Sequence, residues 1–138
     1  LPSRSDGTNT FTVRCGLGDA ADGSEPLNGF YFTYDNSTHD WIGTTANAGT
    51  RSKDTATAYT DAAAGTWYRL TISYNPATTT ASFYIAVDGG APVEVFSTTS
   101  NITADQCGPF FSINKTVGTS TRYFDIDYVF FALTGLVR

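Results

Sequence analysis

Methionine is absent from this chain of 138 residues, histidine occurs once and cysteine twice. With His39 alone, a zinc site built on several imidazoles is excluded by count. Cys15 and Cys107 match neither a metal-ligand spacing nor a Cys-x-x-Cys redox pair. They read as free, buried thiols that behave as small hydrophobes; a bridge between them depends on a separation in space that sequence does not carry. Positive charge is scarce too, with 8 Lys and Arg against 13 Asp and Glu and a net charge of −5. The cations are scattered singly, whereas nucleic acid calls for clusters of them, and an anionic membrane surface would repel this chain. No apolar run reaches the roughly eighteen residues of a membrane-spanning helix, so no nucleic acid and no membrane insertion is expected. A helical hydrophobic period is nowhere sustained. The opening Leu1-Pro2-Ser3-Arg4 lacks a Met and a leader, and the chain reads as a piece of a longer protein.

What is present is β chemistry. Ten Phe, eight Tyr and two Trp supply rigid rings, which with β-branched residues suit a pleated surface. Phe11, Val13 and Cys15 alternate with polar neighbours, and Phe30 to Tyr34 carries aromatics on both faces. Asp19 to Asn28 is a loop rich in Asp, Gly, Ser and Pro, and residues 35–39 form a turn before a short strand over 40–46. The Thr-rich residues 49–60 suit exposed edge strands. Strands follow over 67–74, 81–87, 93–96, 110–114 and 123–132, with Asp88-Gly89-Gly90 marking a hairpin. About ten short strands at this spacing predict a single all-β domain over residues 1–138, a two-sheet antiparallel sandwich.

Particular fragments carry a family likeness. Gly65-Thr66-Trp67-Tyr68-Arg69-Leu70-Thr71-Ile72, followed by Phe83-Tyr84-Ile85-Ala86-Val87-Asp88-Gly89, resembles the core of concanavalin A-like and laminin-G-like sandwiches. In those folds a Trp opens a central strand and a later strand ends in an Asp-Gly hairpin. Phe11 to Asp19, Gly29-Phe30-Tyr31-Phe32 and Asp125-Ile126-Asp127-Tyr128 add a likeness to concanavalin A-like domains of bacteriophage tail-fibre and virion surface proteins. The resemblance implies a jelly-roll sandwich on a virion surface, often a homotrimer, that contacts host cell-surface glycan without chemistry. A structural decoration or trimerisation domain of a phage appendage or capsid is the alternative.

Asp125 and Asp127 are the acids nearest to a catalytic pattern. Some concanavalin A-like glucanases carry Glu-x-Asp-x-Glu on one strand, and residues two apart share a strand face. Here the third position is Val129 and the first is Asp, so the carboxyl pair that glycoside hydrolysis needs is incomplete. No catalytic residue is assigned, and no enzyme is expected. His39 sits in a turn with no nucleophile elbow nearby. Asp19, Asp22, Glu25 and Asp35 are the acids that would have to gather for calcium, although their spacing is not that of an EF-hand. For a glycan, a ring that stacks on the sugar's apolar face, flanked by polar groups, is the expected device. The ligand-binding candidates are therefore Trp41, Tyr34, Asp35, His39, Tyr31, Tyr59 and Arg51, with core or subunit-interface packing as the competing role for the rings.

Overall fold

Eight alternating segments become strands in the computed structural model, which describes residues 5, 6, 8–20, 23–54 and 62–132. They are β1 (Phe11–Gly18), β2 (Gly29–Tyr34), β3 (Trp41–Asn47), β4 (Thr50–Lys53), β5 (Tyr68–Asn75), β6 (Thr80–Val87), β7 (Val93–Thr98) and β8 (Gly108–Lys115). No helix occurs among the described residues. All pairings are antiparallel. Five strands form one sheet in the order β4-β3-β2-β1-β8, and three form the other in the order β5-β6-β7. The expected all-β, two-sheet arrangement is therefore present.

Period-two alternation decides which rings meet. Pairing of Val13 with Tyr34, and of Cys15 with Phe32, puts Phe11, Val13, Phe30, Phe32, Tyr34 and Trp41 on the inner face of the larger sheet. Phe83, Ile85 and Ala81 of β6 face them. Phe83 meets Phe32 edge-on at 5.3 Å between ring centroids, a favoured aromatic geometry. The approach is close because β3 carries Gly43 there: a Cβ would lie 2.8 Å from the Phe83 ring. Ring contacts also orient β5. Tyr68 lies 6.3 Å from Trp41, and Tyr74 lies 5.5 Å from Phe30, so β5 runs in the same sense as β1.

Turn chemistry closes the hairpins. Asp88 and Gly89 both have positive φ, 47° and 79°, and Gly90 N–H donates to Val87 C=O at 2.8 Å. That is the primed turn which an Asp-Gly pair favours because its twist matches that of the strands. Ala48 and Gly49, with φ of 49° and 82°, do the same between β3 and β4.

Three expectations are corrected. Tyr123–Ala132 is not a strand: that stretch has no regular structure and makes no ladder. Asp125 and Asp127 consequently share no strand face, and both are exposed. Trp67 does not open a central strand, because β5 is the edge of the smaller sheet and Trp67 just precedes it, largely exposed. Eight strands, not ten, are found among the described residues. The Thr-rich edge expected over 49–60 is realised as β4 alone, with residues 55–60 outside the described part.

Candidate functional site

A depression of about 630 Å³ opens at the end of the sandwich where β3, β5 and β7 finish and β6 begins. It is lined by Asn47, Thr79, Thr99, Asn101 and Thr103, with Tyr74, Ile102 and Ala104 as its apolar part; the Thr79 hydroxyl donates to Thr78 C=O at 2.7 Å, and the Thr103 hydroxyl accepts from Asp105 N–H at 3.0 Å. None of these is charged. The Tyr74 ring is 43% exposed and is backed by Phe30, so one aromatic face is held rigidly at a wet surface. The rim is fixed by the larger sheet. Thr45 Oγ1–H donates to Ser100 C=O at 2.9 Å, Asn101 Nδ2–H to Ser52 Oγ at 2.9 Å, and Thr103 Oγ1–H to Asn28 Oδ1 at 3.3 Å. Asn101 and Thr79 both adopt positive φ, 52° and 50°. Non-glycine residues held so are uncommon and concentrate where a site demands them. Small polar groups converging beside an apolar wall are the usual make-up of a ligand site.

The outer face of the larger sheet holds a second polar cluster, turned to structural work. The Arg51 guanidinium donates to Pro26 C=O at 2.8 Å, to Gly49 C=O at 2.8 Å and to the Tyr31 hydroxyl at 3.2 Å. Tyr31 in turn donates to Glu25 at 3.2 Å, and Lys53 donates to the same carboxylate at 2.7 Å. Burial pushes Tyr31 up to about 12. Burial also pushes the Glu25 carboxyl upward, but the hydrogen bond and charge of Lys53, with Arg51 and Tyr31, outweigh it and hold Glu25 below its ordinary value. Arg14 Nη1–H donates to Gly23 C=O at 3.1 Å. Together these groups pin the Gly23–Asn28 loop across β1, β2 and β4.

The expected ligand contacts are dispersed by this geometry. Trp41, 6% exposed, and Tyr34, fully buried, lie in the core with their rings 5.7 Å apart. Neither offers a face to a sugar, which corrects the stacking role expected of them. Tyr31 is buried on the opposite face of β2, where it and Arg51 are engaged by the loop network. Asp35 shapes the following turn: Ser37 N–H and Thr38 N–H donate to its Oδ1 at 2.8 and 3.1 Å. His39 places Nε2 2.9 Å from Ser5 C=O, fastening the start of the chain to that turn. Tyr59 lies outside the described residues.

Nor do the acids considered for calcium converge. Asp19 accepts from Leu27 N–H and Asn28 N–H at 2.9 and 3.1 Å, Glu25 is held by Lys53 and Arg51, and Asp35 serves its own turn. Asp22 lies outside the described residues. Among the described residues no three His, Cys, Asp or Glu side chains gather as a metal site would require. Cys15 and Cys107 are both free thiols.

The residues around the depression were not singled out from sequence. They arrive from four separate places in the chain, and none is of a type that announces chemistry. The only local signals were the turn residues Asn75-Pro76 beside Tyr74 and the polar run Ser97 to Asn101. The sequence matches the family described as SO2946-like, C-terminal domain, over residues 1–127, and the chain belongs to that family. No curated protein and no solved structure matches it.

Proposed function

We propose that this SO2946-like C-terminal domain is a glycan-binding module that performs no chemistry, taking a neutral saccharide in the depression at Tyr74. The observation that carries the reading is an aromatic ring exposed at the edge of a pocket lined by amides and hydroxyls and by no charge. A sugar ring offers an apolar face to an aromatic and hydroxyls to Asn and Thr, and a site built for those hydroxyls rejects ligands that lack them. Absence of Lys and Arg from the lining favours a neutral sugar over an acidic one. The resemblance to phage appendage domains supplies the setting: a jelly-roll on a virion surface, presented to host polysaccharide.

The test is binding of the purified chain to a panel of neutral and acidic bacterial polysaccharides, with Thr99→Glu alongside. Thr99 is exposed, so the added charge and bulk enter the depression without disturbing the core. Binding to a neutral glycan, weakened tenfold or more by Thr99→Glu at an unchanged melting temperature, is expected. Absence of binding to every neutral glycan, or binding that Thr99→Glu leaves intact, overturns the proposal.

A further inference from the structure

The smaller sheet stops short, and the chain holds an unpaired segment suited to extend it. Tyr123, Ile126, Tyr128, Val129, Phe130 and Phe131 are 47 to 79% exposed within one run of nine residues. Single exposed hydrophobes are ordinary; a contiguous run of this size marks an interaction surface. Among the described residues, no backbone or side-chain hydrogen bond is made by any residue from Tyr123 to Ala132. Exposed backbone groups left so are free to enter a ladder, and apolar side chains on both sides of an extended segment favour a sheet.

β5 presents the matching vacancy. Among the described residues its outer edge is unpaired, and its inward residues Leu70 and Ile72 are only half-buried. Across from them Cys15 of β1 and Ile113 of β8 are also half-buried against the core. One more strand beside β5 would cover all four.

Direction decides whose strand it is. Arg122 is tied to Asp6 at 3.5 Å and Thr116 N–H donates to Thr10 C=O at 2.9 Å, so the segment sets out from the Phe11 end of the sandwich. β5 also starts at that end, beside Trp41. Laid on its own β5, the segment would run parallel to it, in a fold whose every pairing is antiparallel. The chain's own β8 edge would take it antiparallel, but a strand there would extend the larger sheet and leave the β5 flank open, whereas a second molecule can offer the same segment to β5 in the antiparallel sense. Phe124 packs against the core of its own chain, so the free part begins after it, and we infer that Asp125–Ala132 of one copy adds as an antiparallel strand to the β5 edge of a second copy. Alternation turns Tyr128 and Phe130 to one face of such a strand, and these two rings would bury roughly 300 Å² of one partner. With the β5 surface that they cover, and with the contact made twice in a reciprocal pair, this approaches the ~1,000 Å² that separates a specific interface from a casual contact. Exchanged reciprocally the contact gives a dimer; passed around a ring it gives a trimer or larger closed assembly.

Sedimentation of the whole chain across the micromolar range tests this, with hydrogen exchange of residues 123–132 and the variants Asp127→Pro and Phe130→Asp. Both positions are exposed and unbonded in the single chain, so neither substitution threatens its fold. The expected result is a closed oligomer with slowed exchange over 123–132, and a folded monomer with fast exchange in both variants. A wild-type chain that stays monomeric while 123–132 is protected shows the segment folding on its own molecule and overturns the inference. A monomer without protection, or an oligomer that both variants preserve, overturns it equally.

Discussion

β2 and β5 both carry strand-forming aromatic and β-branched residues, five of six in β2 and four of eight in β5, yet five of the six β2 residues are buried and none of the eight in β5 is. The difference lies in what surrounds them. β2 has a strand on each side, the β6 rings on one face and the Gly23–Asn28 loop on the other. Among the described residues β5 has one neighbour and one covered face. Strand propensity is a fit to a pleated, half-buried surface, and it specifies neither the number of neighbours nor the number of covers. β2 is thus a central strand covered on both faces, whereas β5 is an edge of the kind that proteins usually pair, charge or cover.

The strongest way to break this contrast is to truncate one ring or side chain on each strand pair. Phe83 is completely buried between the sheets, and Phe83→Ala should cost about 3–5 kcal/mol, the usual penalty for removing a core ring. Leu70→Ala on β5 should cost only about 1–2 kcal/mol, because part of that side chain is already in water. Urea unfolding of both variants measures the difference. Equal losses would mean that the β5 edge is covered in solution, and a Leu70→Ala loss that grows with protein concentration would mean that another copy covers it.

Much of this contrast was legible beforehand, and the failures have physical causes. Strands at Phe11–Cys15, Phe30–Tyr34 and Ala81–Val87, and the turn at Asp88-Gly89, were set by local alternation and turn chemistry, which act over a few residues. Trp41 and Tyr34 were weighed as surface rings because alternation reveals that two faces differ and not which one is buried. Tyr123–Ala132 has strand composition without a strand, since a ladder needs a partner that sequence does not locate. The depression at Tyr74 escaped notice because it is assembled around that ring from Thr and Asn drawn from three other segments, residues that elsewhere in this chain merely terminate strands.

A smaller effect probes the covering loop on the finished side. Glu25 has its carboxyl held below the ordinary value in the folded chain. A depressed carboxyl contributes stability above its unfolded pKa, near 4.3, and that contribution is lost as the pH falls through the folded value. Glu25→Gln should therefore cost about 1 kcal/mol at neutral pH, by weakening charged hydrogen bonds from Lys53 and Tyr31. The gap in melting temperature from wild type should close on acidification below pH 4. Asp19 and Asp35, also held low once their hydrogen bonds outweigh burial, would still make the variant acid-sensitive, so the difference between the two curves is the informative quantity. A constant gap down to pH 3 would detach Glu25 from the pinning of the loop.

The finest distinction is made by the two thiols, which cost nothing to interrogate because both are free. Burial pushes Cys15 up to about 12, so at pH 8 the nucleophilic thiolate is on the order of one molecule in ten thousand. Cys107 is raised as well, first by burial and then by Asp19 and Asp105, but it lies in the connection before β8 and away from the core cluster. A disulfide reagent at pH 8 should therefore label Cys107 first and reach Cys15 through opening of the flank beside β5. Labelling of Cys15 should accelerate in Asp127→Pro if a neighbouring strand normally closes that flank, while Cys107 labelling stays the same. Equal acceleration of both thiols would signal loosening of the whole sandwich, and the contrast between a closed sheet and an open one would then lose its meaning.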